Sequence, residues 1–218
     1  MKFGIIAAAG NLGGRIVTEA LNRNHAVTAF VHKTPCKDTR VRSIQKSLFA
    51  LEKEDIADFD VLFSAYGSGF EADPALNRLA LNKLGELVIG TDTRVISIAG
   101  SGCLFTNESK TTRVYELPEH PTFLKDISEN TMLGVEDVMA MTDVHYTFVS
   151  PGLYFDAEGQ RSCDYLANTE MTVSMNEDGS SYTSYDDLAV AMVDFAEQGT
   201  FDRCFVTVLS RKGSPKQQ

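Results

Sequence analysis

Gly10 and Gly13 stand three residues apart in Ile5-Ile6-Ala7-Ala8-Ala9-Gly10-Asn11-Leu12-Gly13-Gly14-Arg15-Ile16, after one apolar run and before an amphipathic one. A strand that turns on glycine into a helix suits the pyrophosphate of a dinucleotide. Gly10 would let the backbone approach the phosphates, and Gly13 would let helix and strand pack closely. The free N–H groups at the helix start would face the anion. The three-glycine fingerprint of such turns is incomplete, because Ala7 holds its first position.

The end of the next strand bears on which dinucleotide. An acidic residue there would bind the ribose 2′-hydroxyl of NAD. Val31-His32-Lys33-Thr34 has none, and the first carboxylate is Asp38. His32 and Lys33 can donate to a 2′-phosphate, and Arg15 on the first helix could join them. The pattern favours NADP over NAD.

Other chemistries find less support. Cys36, Cys103, Cys163 and Cys204 form no C-x-x-C pair, and His25, His32, His120 and His145 have no chelating spacing, so no metal site is expected. Unpaired cysteines in a chain of ordinary composition read as reduced thiols, which places the protein in the cytoplasm. Lys2–Ala9 shares a lysine, an apolar run and an A-x-A end with secretory leaders, but the run is short and leads into a glycine turn. No apolar stretch approaches the roughly 20 residues that span a bilayer. The formal charge of −10 in 218 residues argues against nucleic acid as a partner, yet leaves room for one nucleotide in a local electropositive pocket.

Short apolar strands alternate with helical patterns through the first two thirds. Strands are expected at Lys2–Ala8, Ala26–Val31, weakly at Val41–Ile44, then at Asp60–Tyr66, Thr93–Ala99, Tyr146–Val149 and Arg203–Leu209. The first turn is expected at Gly10–Gly14, with a helix running on to Asn24. Further helices are expected at Pro74–Ile89, Pro121–Met141 and Asp186–Glu197. This alternation implies βαβ crossovers and a parallel sheet covered on both faces. One domain is expected over residues 1–218, with 151–185 contributing a small lobe, and the tail Arg211–Gln218 is expected to fray.

Gly10-Asn11-Leu12-Gly13 with Arg15-Ile16 resembles the start of atypical short-chain dehydrogenase/reductases of the NAD(P)H-binding, NmrA-like kind, nearest to their NADH-flavin reductase group. The likeness extends to Asp60–Gly67, Val95–Leu104, Tyr146–Pro151 and Ser184–Ala189. It implies a Rossmann-like doubly wound α/β sheet with a small C-terminal substrate lobe. It also implies that Gly10, Asn11, Leu12 and Gly13 line the pyrophosphate, and His32 and Lys33 the adenosine phosphate. Ala65, Tyr66 and Gly67 would pass under the riboses. Ala99, Gly100 and Ser101 would lie beside the nicotinamide, and Pro151 and Gly152 near its carboxamide.

The Tyr-x-x-x-Lys pair of ordinary short-chain dehydrogenases is missing: none of the seven tyrosines has a lysine four residues on. Without it, proton donation to an alcohol or ketone has no evident agent. Hydride transfer to a flat ring needs only two rings held in contact, with a proton from solvent. Ser101 is the polar candidate for orienting nicotinamide or substrate, or else a loop-capping hydroxyl. Cys103, Tyr154 and Phe155 are candidate acceptor contacts, with core packing as the alternative for each. His120 and Lys125 read as solvated loop or substrate contacts. Two functions follow: an NAD(P)H-dependent reductase with free flavin or a similar small molecule as acceptor, or a non-catalytic redox sensor that binds the dinucleotide. No membrane partner is expected, and the protein would be a monomer or homodimer.

Overall fold

The computed structural model describes residues 1–211, so the expectation for the tail falls largely on 212–218, outside the described residues. The chain runs β1 (Lys2–Ile6), α1 (Asn11–Asn22), β2 (Ala26–Val31), β3 (Arg42–Gln45), α2 (Lys53–Ile56) and β4 (Val61–Ser64). It continues α3 (Ala75–Val88), β5 (Arg94–Ile98), α4 (Thr122–Met139), β6 (Tyr146–Pro151), β7 (Tyr154–Asp156) and β8 (Tyr165–Asn168). β9 (Tyr182–Ser184), α5 (Tyr185–Gln198) and β10 (Cys204–Ser210) complete it.

Among the described residues, eight strands form one sheet in the order β3-β2-β1-β4-β5-β6-β10-β8, which is Rossmann-like. The neighbours from β3 to β10 pair in parallel, and β8 closes the edge antiparallel to β10. Strands covered on both faces must be apolar on both, and β4 and β6 are buried at every position. One core lies under α1 and α5, around Phe3, Ile16, Val17, Leu188 and Met192. The other lies under α3 and α4, around Phe30, Leu62, Leu84, Met132 and Val135. Buried Arg94 ties the sheet to the end of α5, donating to Thr147 Oγ1 at 2.9 Å, to Phe195 O at 3.2 Å and to Thr200 O.

Two expectations need correction. The first turn is Ala7–Gly10, not Gly10–Gly14. Gly10 N–H donates to Ala7 O at 2.9 Å and caps α1, so Gly13 and Gly14 already lie inside the helix. The turn closes early because Ala7 itself adopts the left-handed conformation, at φ 58°. The segment 151–185, in turn, divides: β7 and β9 pair in parallel as a small separate sheet, while β8 extends the main one. Long-range pairing alone decides that split, and the local pattern carries no trace of it.

Ala7 supports a direct prediction. A left-handed alanine costs about 1–2 kcal/mol that glycine avoids, while glycine adds about 0.5–1 kcal/mol of unfolded-state entropy. Ala7→Gly is therefore expected to stabilise the fold by roughly 0.5–1 kcal/mol, read in urea melts. A loss of stability would show that the alanine methyl contributes more by packing than it costs in strain.

Candidate functional site

β1 pairs with β2 on one side and β4 on the other, so the chain reverses its direction of winding at β1, where an open α/β sheet leaves a crevice beyond its strand ends. α1 begins there with no side-chain cap and no acidic residue in its first turn. α5 is finished differently: Ser184 Oγ accepts from Asp187 N–H at 3.0 Å, and Asp186 and Asp187 occupy its first turn. The start of α1 thus keeps free N–H groups and a positive dipole end for an external anion. Gly13 holds the helix against the turn, since a Cβ there would lie 2.3 Å from Ala7 O.

A cleft of about 570 Å³ opens over this helix start. Asn11 and Leu12 form its floor, Ala65–Phe70 one wall and Ile98–Gly100 the back. Asn77, Ile127, Ser128, Thr131, Phe155 and Tyr185 complete the lining, so among the described residues the cleft carries no Asp, Glu, Lys, Arg or His. Phe155 stacks on Tyr185 with ring centroids 3.8 Å apart, forming an aromatic wall. Burial raises the pKa of the Tyr66 phenol; burial also raises that of Tyr185, against an opposing pull from Arg15. A tyrosine that exchanges protons near neutrality needs the opposite shift, so both phenols stay protonated. A smaller hollow of about 190 Å³ continues past Gly10, Gly14 and Thr18 to Cys36, Lys37 and Asp38. Hydrogen bonds from Arg40 hold the Asp38 carboxyl below the usual range.

No family model matches the chain. Over 211 residues it is 33% identical to the uncharacterised protein YwnB of Bacillus subtilis, spanning 96% of this chain and 99% of that one. The crystal structure of SP1627 from Streptococcus pneumoniae, named a "putative NADH-flavin reductase", is likewise 33% identical over 96% of this chain and 99% of that one, with a TM-score of 0.89. The chain belongs to the NAD(P)H-binding, NmrA-like family of atypical short-chain dehydrogenase/reductases. A Lactobacillus casei protein shares the fold of this NmrA-like chain at 23% identity and a TM-score of 0.87, over 97% of this chain and 100% of that one.

Within this NmrA-like protein, the cleft gathers Asn11, Leu12, Ala65, Tyr66, Gly67, Ala99, Gly100 and Phe155 from the expected set. Gly10 lies in the adjoining hollow, and Gly13 supports the turn from behind. His32 and Lys33 are exposed on the bend after β2, while Lys37 lines the hollow itself. Arg15 edges that hollow but has other partners. It pairs with Asp186 at 2.9 Å and donates to Asn11 O at 2.9 Å and to Ala157 O.

Five further expected residues line neither the cleft nor the adjoining hollow. Cys103 is wholly buried, its Sγ 3.7 Å from Ser128 O, and burial pushes its thiol up to about 11, so it is core rather than acceptor contact. Ser101 opens a 3-10 turn, where its carbonyl accepts from Leu104 N–H at 3.1 Å. Tyr154 cannot share the cleft wall with Phe155, because successive strand residues face opposite ways; it stacks on Tyr182 with centroids 5.8 Å apart and is 52% exposed. Pro151 ends β6 in the core, and Gly152 N–H donates to Thr183 Oγ1 at 2.8 Å, joining the two sheets.

The sequence reading missed Tyr185, Ser128, Thr131, Asn77 and Phe70. Only Asn77 left a usable trace: a polar residue buried within an apolar stripe of α3. Its amide accepts from Ser68 N–H at 3.2 Å and donates to Ser68 Oγ at 2.8 Å, pinning the loop after β4. His120 is half-buried rather than solvated, and its Nε2 is buried without a hydrogen-bond partner. No cluster of potential metal ligands exists among the described residues, and no helix there is long and apolar enough to cross a membrane.

Proposed function

We propose that this protein is an NAD(P)H-dependent reductase of a flavin or a similar flat conjugated acceptor. The observation that carries the reading is the cleft itself: an uncapped helix start opening onto an aromatic-walled space that, among the described residues, is lined by no acid or base ionising near neutrality. Such a lining suits a reaction whose chemistry comes from the bound dinucleotide. The name of the pneumococcal relative supports the same class.

A nicotinamide dinucleotide fits the residues present. The N–H groups of Asn11 and Leu12 would take the pyrophosphate, and Ala65–Gly67 and Ala99–Gly100 offer flat, small-residue surface for its riboses and ring. Lys37 lines the adjoining hollow beside Asp38, and His32 and Lys33 stand exposed on the bend after β2; these three would be the donors to an adenosine 2′-phosphate, and that is the ground for preferring NADP. Bound in reduced form, such a dinucleotide would supply a hydride, and the acceptor would take it together with one proton from solvent, leaving the oxidised dinucleotide. The protein's part is to hold two rings in contact and keep bulk water from between them. Ser128 and Thr131 can hydrogen-bond ring oxygens without exchanging protons.

The test pairs a titration with NADPH and NADH against an assay of NADPH oxidation on riboflavin. Tighter binding of NADPH is expected, with consumption above the protein-free rate. Tight dinucleotide binding with no consumption for any flat acceptor would instead identify a redox sensor.

A further inference from the structure

We propose that the mouth of this cleft selects an uncharged conjugated ring, an isoalloxazine or quinone without phosphate, seated by Phe70 and Phe123. The inference rests on the reductase reading and narrows its acceptor. Phe70 is 71% exposed and Phe123 60% exposed, on different elements: the loop after β4 and the first turn of α4. Their rings meet edge to face with centroids 5.4 Å apart, and neither ring joins either core. Two large rings so exposed gain little for the fold by folding that way.

Phe70 is not exposed by a loose loop. Asn77 grips Ser68 on one side, and Asp73 Oδ1 accepts from Ala75 N–H at 2.9 Å on the other. Phe70 lines the cleft together with the stacked Phe155 and Tyr185, and Phe123 extends that aromatic surface through its contact with Phe70. A flat acceptor entering there meets aromatic surface at the mouth and along the wall.

Charge decides which flat acceptor. Among the described residues no cation lines the cleft, so a phosphate carried into it finds no ion-pair partner there. The two segments bearing the phenylalanines carry Glu71, Asp73, Glu119, Asp126 and Glu129, all exposed, against Lys125. The nearby Arg78 is taken up by Asp137 at 2.7 Å, and Arg113 by Cys103 O at 2.6 Å and Glu136 at 3.2 Å. A phosphorylated flavin thus approaches a rim of like charge, and salt should screen the penalty.

The experiment measures NADPH oxidation with riboflavin, FMN and an uncharged naphthoquinone at low and high salt. Alongside it, riboflavin fluorescence is titrated against protein saturated with NADP⁺. At low salt the KM for FMN is expected to exceed that for riboflavin by at least about fivefold, the gap closing as salt rises. Phe70→Ala with Phe123→Ala is expected to weaken riboflavin binding by about fivefold or more, with NADP⁺ affinity and melting temperature unchanged. Phe70→Leu with Phe123→Leu should fall between, having apolar surface but no ring face. An FMN KM at or below that of riboflavin at low salt, or wild-type riboflavin affinity in the double alanine variant, overturns the selective mouth and leaves the reductase reading standing. Riboflavin binding that depends on both rings, without NADPH consumption by any acceptor, supports the mouth and overturns the reductase reading.

Discussion

Gly13→Ala is expected to raise the Kd for NADPH at least tenfold and to destabilise the fold by about 1–3 kcal/mol. The added methyl carbon would sit 2.3 Å from Ala7 O, 2.8 Å from Ala7 C and 2.9 Å from Ala8 Cα, all of them backbone. No side-chain rotation relieves such contacts, so α1 must lift from the turn. Its first N–H groups are what the pyrophosphate would use, so strain and binding fail together. Gly14→Ala is the matched control, because its methyl would meet Ala8 O at an ordinary 3.6 Å. That variant should bind NADPH as wild type does and gain up to about 1 kcal/mol from better helix propensity. Wild-type NADPH affinity in Gly13→Ala would remove the glycine turn from the binding site.

Asp187→Ala is expected to cost about 3 kcal/mol, lowering the melting temperature by roughly 6–12 °C. The carboxylate is wholly buried and accepts from Ser162 N–H at 2.8 Å, Ser162 Oγ at 2.8 Å and Cys163 N–H at 2.9 Å. Alanine leaves those donors without their buried acceptor, and the part-buried segment that carries them loses its anchor to α5. The loss should concentrate in the segment between β7 and β8, seen as faster proteolytic cleavage there while the sheet centre stays protected. Asp187→Asn keeps one acceptor oxygen and should recover part of the loss. A melting temperature within 2 °C of wild type for Asp187→Ala would mean that the segment is held by other contacts, foremost the Arg161 bridge to Glu19 at 2.9 Å.

The sheet was legible where burial on both faces forces unbroken apolar runs, as in Val61–Ser64 and Tyr146–Pro151. The floor of the cleft was legible for a related reason: Gly10 and Gly13 answer to local geometry, which a short stretch of sequence records. Legibility ended where a side chain chooses a partner far along the chain. Arg15 reads as a phosphate donor until Asp186, 171 residues later, occupies it at 2.9 Å. Tyr154 and Phe155 read alike until pairing with Tyr182 and Thr183 sends them to opposite faces. Cys103 and Ser101 sit in a Gly/Ser loop whose composition cannot say which atoms turn inward. Tyr185 opens a helix, a position that the sequence alone interprets as capping geometry rather than as a cleft wall.

The place of β10 in the sheet bears on how the molecule comes into being. Residues 204–210 lie between β6 and β8 and pair with both, and the core beneath α1 joins Phe3, Ile16 and Val17 to Leu188, Met192 and Val206. A nascent chain on the ribosome can assemble β1 to β5 with α3, but it cannot complete the core beneath α1 until α5 and β10 have emerged. Folding that waits on contacts so distant in sequence is slow. Until then the flank of β6 is open to chaperone capture or aggregation, and it closes when β10 takes its interior seat beside it.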